Sequence, residues 1–399
     1  MIDSIAIYII HGFVVLGAVL LFFFAGPPAT LCAALRAGCR PMAEKDEKNA
    51  CVRLNSNAFN ATNAFAELKA LAAITPRHSG SPGAQKAAEH LLSRLCAAGI
   101  QSSLDEFKEE TPAGQMLFRN VIGVLPGRKA NDSPVDSPLR SPGRSALASA
   151  KPPAEPGSAE PGSALAKRGE WIIVGAHYDT KAGISENFQG ANDSGSGVGV
   201  LLELARVIKT EQDRNCKIAA GVVDPGPASP RPATDISYQR PDVNIMFAFF
   251  DGEECINRYG KNDGLHGSRR LAEQLVKDGR SAKVRAVIIL DMVGDRDLNV
   301  TIPHNSALSL VSALFAAAEK EGTREKFTLW MTQILDDHMP FLSAGMPAID
   351  IIDFEYGSAR GQNNYWHTPQ DTVDKLSAQS LGIVGRTVLR LLDDLMRGK

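Results

Sequence analysis

The run Ile245-Met-Phe-Ala-Phe-Phe250 is apolar at every position, and the next four residues are Asp251-Gly252-Glu253-Glu254. A strand with no polar alternation is buried on both faces, so it belongs inside a mainly parallel sheet sandwiched by helices. The flanking sequence obeys that pattern. Residues 120–125, 171–176, 284–290 and 348–352 read as further strands. Residues 60–71, 83–98, 195–209, 268–277, 306–321 and 377–397 carry apolar residues at helical spacing. The expected fold is a single α/β domain.

The chain has 399 residues, 44% of them apolar, enough for a sizeable core. Its 43 Lys plus Arg against 45 Asp plus Glu leave a net charge of -2, which gives nucleic acid no electrostatic footprint. Residues 1–45 hold an almost wholly apolar run from Ile5 to Ala25, the length of a membrane span, and read as a signal peptide or membrane anchor. The cations Arg36, Arg40, Lys45 and Lys48 follow that run, and by the positive-inside rule they would hold the remainder in the cytoplasm. The lipoprotein-like Ala37-Gly38-Cys39 argues the other way. We expect an exported or membrane-anchored protein with its domain, residues 46–399, outside the cytoplasm and touching the membrane only through an uncleaved leader. Two tracts rich in Pro, Ser, Ala and Gly, at about 127–168 and 211–241, are expected to be disordered insertions, the first lying between neighbouring strands. Six cysteines without a CxxC pair make a cysteine-ligated metal improbable and leave one or two disulfides open.

Polar chemistry gathers where the strands finish, the working edge of an open α/β sheet. One strand ends in His177-Tyr178-Asp179, the next loop carries Asp193, the opening strand ends in Glu253-Glu254, and another ends in Asp291. Carboxylates and imidazole are the ligands of catalytic zinc, which keeps three protein ligands and one open position. His367, after the last strand, is the natural imidazole partner. Adjacent glutamates at a strand end can divide the work, one on the metal and one as acid/base. Taken singly, each site has a plainer reading: Asp193 as a helix cap, Asp291 as a strand terminus, Glu253-Glu254 as a solvated turn. Five such coincidences on one edge favour a metal centre.

In order, His177-x-Asp179, Asp193 in Gly190-Ala-Asn-Asp193, Glu253-Glu254, Asp291 and His367 resemble the metal-site pattern of the co-catalytic zinc aminopeptidases and their glutaminyl cyclase relatives. The match spans residues 59–392, broken by the two insertions. The resemblance implies a first zinc on Asp193, Glu254 and His367, with Glu253 as proton shuttle and Asp291 and Asp336 holding it through hydrogen bonds. It implies a second metal on His177 and Asp291 if the protein is a peptidase, and Asp179, Asp337 and His338 as residues steadying this inner set. Within the family, the long stretch from Cys255 to His266 before Gly267-Ser268, the Asp336-Asp337-His338 run and Trp366 beside His367 are similar to the glutaminyl cyclase branch. Trp366 and Tyr259 are then the expected substrate contacts. Tyr259 stands where animal cyclases carry a tryptophan, Leu335 where they carry glutamine, and Ala176 where they carry a disulfide cysteine.

The resemblance implies an enzyme acting on peptide or protein amino termini. As a cyclase it would need one zinc, turning an amino-terminal glutamine into pyroglutamate with release of ammonia. As a metallo-aminopeptidase it would need two, with Glu253 serving a metal-bound water. A third reading, a non-catalytic membrane-anchored binding module on the same fold, would be expected to have lost a ligand, and none is missing.

Overall fold

The computed structural model describes residues 54–127, 169–219 and 243–398. The apolar leader, nearly all of the first insertion and the end of the second lie outside the described residues. Among the described residues no helix is long and apolar enough to cross a membrane. Helices α1 (Ala61–Ala72) and α2 (Pro82–Ala97) precede a hairpin of β1 (Gln101–Thr111) and β2 (Gly114–Leu125). Next come β3 (Glu170–His177), α3 (Gly195–Ala219), β4 (Val243–Phe250), α4 (His266–Lys277) and β5 (Val284–Asp291). Then follow β6 (Val300–Pro303), α5 (Leu308–Glu321), β7 (Phe327–Trp330), α6 (His338–Ser343), β8 (Ala348–Ile352) and α7 (Ala378–Met396).

The main sheet runs β1-β2-β4-β3-β5-β8. Its four central and distal strands are parallel, while β1/β2 and β2/β4 are antiparallel. The double burial inferred from the apolar run is visible residue by residue. Ile245, Phe247 and Phe249 face a large core under α1, α3 and α7, whereas Met246, Ala248 and Phe250 face a smaller core beside α4. β3 and β5 divide their side chains the same way. Burying one such phenylalanine contributes on the order of 2–3 kcal/mol. Gly197 lets α3 settle on the sheet, since a Cβ there would lie 2.1 Å from the Leu290 carbonyl oxygen. Ser81 and Ser377 cap α2 and α7 by accepting backbone N–H groups, as Asn60 does for α1.

Three expectations need correction. Strands β2 and β3 are not neighbours, because β4 pairs with both and lies between them. The second insertion does not begin at 211, since α3 continues to Ala219. The hairpin strand β1 and the two-stranded parallel sheet of β6 and β7 were not anticipated. Parallel register then does the decisive placement: His177 pairs with Phe250 and Asp291 with Ile352, so the ends of β3, β4, β5 and β8 open on one edge.

Candidate metal centre

At that edge two groups of ligand atoms converge, each within 4.8 Å: Asp193, Glu254 and His367, and His177, Asp193 and Asp291. Asp193 belongs to both. Its Oδ2 lies 3.3 Å from His367 Nε2, which is 3.0 Å from Glu254 Oε1. Its Oδ1 lies 3.1 Å from His177 Nε2, which is 3.3 Å from Asp291 Oδ1. His177 Nε2, Asp291 Oδ1 and Glu254 Oε2 are buried without hydrogen-bond partners. Buried polar atoms that lack partners and face one another fit a cation between them. The electrostatics agree. Burial opposes charge on both imidazoles, yet the surrounding carboxylates prevail: His367 is pushed up to about 10 and His177 well above its usual range. Burial likewise disfavours the Asp193 carboxylate, but His177 and His367 hold it far below the usual range. Three carboxylates on one spot demand positive charge, and the donor set of oxygen and imidazole nitrogen suits zinc.

The ligands are held by backbone as much as by side chains. Asp371 accepts from the backbone N–H of Asn192 at 2.8 Å and of Asp193 at 3.2 Å, and Tyr356 donates its hydroxyl to the same carboxylate at 2.9 Å. Arg77, fully buried, donates to the carbonyls of Tyr178, Gln189 and Gly190, tying the strand end of β3 to the Asp193 loop. Asp179 accepts from the amides of Glu253 at 3.2 Å and Glu254 at 3.3 Å, and lies 3.4 Å from His177 Nδ1. It therefore ties His177 to the backbone of both glutamates. Gly252, at φ +78°, makes the turn that delivers them. His367 and Met292 have φ of 52° and 46°, in the left-handed region that side chains seldom adopt. Such strain, on the order of 1–3 kcal/mol per residue, concentrates where function fixes geometry.

Beside these candidate ligands lies a cavity of about 310 Å³, walled by Trp366, Phe354, Ile334 and Tyr259, with Glu253 and Asp336 in its lining. Trp366 stacks on His367 with ring centroids 4.0 Å apart. Burial, joined by the charges of Glu254, Asp336 and Asp337, pushes the Glu253 carboxyl well above the usual carboxylate range against the pull of His177. Asp291 and Asp336 are pushed up to about 7 by burial.

Of the residues expected at the site, His177, Asp193, Glu254, Asp291 and His367 form the two ligand groups, and Glu253, Tyr259, Asp336 and Trp366 line the cavity. No hydrogen bond joins Glu253 to Asp291 or Asp336; its carboxylate instead accepts the Tyr259 hydroxyl at 2.9 Å. Tyr259 lines the cavity, and its hydroxyl is directed at Glu253. Asp337 and His338 do not steady the ligands. They are buried behind Asp336 at the start of α6, and their side chains make no hydrogen bond to any ligand. Asp371, Arg77 and Lys181, whose ammonium is 3.7 Å from Glu254, were missed. Loop residues of this kind carry no periodic signal. Cys96 and Cys255 are unpaired, so neither takes part in a disulfide.

Residues 161–392 match Peptidase family M28. The glutaminyl-peptide cyclotransferase of Dictyostelium discoideum is 25% identical over 322 residues, covering 75% of this chain and 75% of that protein. The one from Bos taurus is 25% identical over 338 residues, covering 77% and 75%. Among solved structures, an Acidobacteriales bacterium glutaminyl cyclase is similar with a TM-score of 0.64 and 28% identity, over 88% of this chain and 98% of that one. A leucine aminopeptidase precursor from Bacteroides thetaiotaomicron shares the fold, with a TM-score of 0.59 and 22% identity over 86% and 99%. The chain belongs to peptidase family M28, and within it to the glutaminyl cyclase branch.

Proposed function

We propose that the protein is a zinc-dependent glutaminyl-peptide cyclotransferase, converting the amino-terminal glutamine of peptides to pyroglutamate and ammonia. The observation that carries this reading is the small aromatic-walled cavity lined by Asp193 and His367 of the first ligand group and by Glu253. A glutamine side chain is flat and short, and Trp366 and Phe354 offer it apolar walls. Asp193, Glu254 and His367 would hold a zinc ion, which would supply Lewis-acid polarisation of the side-chain amide carbonyl.

The chain's own groups perform the proton transfers. The neutral α-amine forms a bond to the side-chain carbonyl carbon, and the carbon–nitrogen bond to the departing amide nitrogen breaks. Glu253 takes a proton from the attacking amine and returns it to that leaving nitrogen, which departs as ammonia. A carboxyl raised by burial and neighbouring charge suits this exchange, because it holds the transferred proton more firmly than an ordinary carboxylate does. Trp366, stacked on His367, positions the substrate side chain against the ligands.

The assembled His177, Asp193 and Asp291 group favours a second reading, a two-metal aminopeptidase in which Glu253 serves a water. Zinc dependence tests the common ground. Chelation is expected to abolish ammonia release from a glutamine-initiated peptide and stoichiometric zinc to restore it; full activity in metal-free protein would overturn the proposal.

A further inference from the structure

We infer that Tyr259 is a positioning residue for the proposed reaction: its hydroxyl, delivered by a loop that Asp263 staples, fixes the Glu253 carboxylate at the substrate cavity. The inference rests on the cyclase reading above. The stretch between Glu254 and α4 contains no regular structure to hold it, yet it is tightly tied. The Asp263 carboxylate, 6% exposed, accepts the backbone N–H groups of Ile256, Asn257 and Arg258, the latter two at 2.9 and 3.0 Å. Three amide donors wrapped on one oxyanion make a compact nest. Gly260 N donates to the Asp263 carbonyl at 2.8 Å, and Leu265 N donates to the carbonyl of Glu253 itself at 2.9 Å, so the loop closes on the shuttle residue.

Within this frame the phenol has one place to go. Its ring lies against Gly264, where φ is +79° and an added Cβ would sit 2.4 Å from the ring. Its hydroxyl then donates to Glu253 Oε1 at 2.9 Å, which among the described residues is the only hydrogen bond that carboxylate accepts. A glutamate side chain has several rotatable bonds, and one fixed oxygen removes most of that freedom. Oε2 is left as the acceptor for the substrate's amine proton. Tyr259 acts through Glu253, by alignment, and not by touching the reacting atoms.

The test measures kcat and KM on a glutamine-initiated peptide for the wild type, Tyr259→Phe, Asp263→Asn and the double variant. Tyr259→Phe keeps the ring and removes only the hydroxyl, so kcat is expected to fall about tenfold or more while KM stays within about twofold. Zinc content and Tm should not move. Asp263→Asn should lower kcat in the same direction, and the double variant should fall no further than Tyr259→Phe alone, because both act through one contact. Unchanged kcat in Tyr259→Phe, a loss confined to KM, or losses that multiply in the double variant would each overturn the inference. A wild type that releases no ammonia sinks the cyclase reading instead. The same kcat criterion is then applied to its peptidase reaction, where Glu253 again carries the proton.

Discussion

Replacing Asp371 by Asn is expected to weaken zinc binding without unfolding the protein. The carboxylate accepts from Asn192 N and the Tyr356 hydroxyl on Oδ1 and from Asp193 N on Oδ2. An amide retains one acceptor. With its oxygen on Asn192 and Tyr356, its NH₂ group meets the Asp193 N–H donor to donor, across a gap that is now 3.2 Å. A buried N–H left without an acceptor costs about 1–3 kcal/mol, and the lost bond was to a group able to carry full charge. About 2 kcal/mol spent on the alignment of Asp193 corresponds to roughly 30-fold weaker zinc binding, inside the range of about 10- to 100-fold for residues that orient metal ligands. Competition against a chromogenic chelator reads this affinity, and thermal unfolding of the metal-free protein reads the structural cost separately. Zinc affinity within about twofold of the wild type, alongside a lowered metal-free Tm, would refute the claim that this carboxylate aligns Asp193.

Glu253→Gln keeps the shape of the shuttle but cannot take a proton, so kcat should fall by about 10²–10⁴-fold with zinc content unchanged; unaltered turnover would remove Glu253 from the mechanism. Titrating zinc into metal-free protein should give full activity at one ion per chain, whereas activity still climbing towards a second would favour the peptidase reading. Burial pushes His338 down to about 4, so the folded protein keeps this imidazole neutral while the unfolded chain protonates it below about 6.5. Its contribution is therefore present above pH 6.5 and lost as pH falls towards 4, about 2 kcal/mol of it between pH 7 and 5. Urea denaturation at the two pH values should show that loss shrinking in His338→Gln; equal losses in both proteins would refute it.

The parallel core was legible because β3, β4, β5 and β8 are buried on both faces and therefore read as unbroken apolar runs. β1 was not, since only Phe107 and Thr111 of its eleven residues are buried and an edge strand so exposed has no apolar alternation to betray it. β6 and β7, four residues each, are too short for a period to register. The candidate ligands were legible for a different reason: residue types that can hold a metal stood at successive strand ends, and parallel register leaves those ends nowhere to go but one edge. Their supports were hidden. Asp371 looks like any loop aspartate, and its value arises only because the chain folds it under two amides of the Asp193 loop. Tyr259 was expected at the cavity only through the family resemblance, and its hold on Glu253 depends on the Asp263 nest, a tertiary arrangement that spacing does not encode.

The most direct measurement offers the zinc-loaded protein, lacking residues before about 45, two peptides that differ only in an amino-terminal glutamine or leucine, and identifies the products of each. A glutaminyl cyclase is expected to release ammonia and leave a pyroglutamyl peptide of unchanged length from the first, and to leave the second intact. Free leucine or free glutamine among the products would contradict the account.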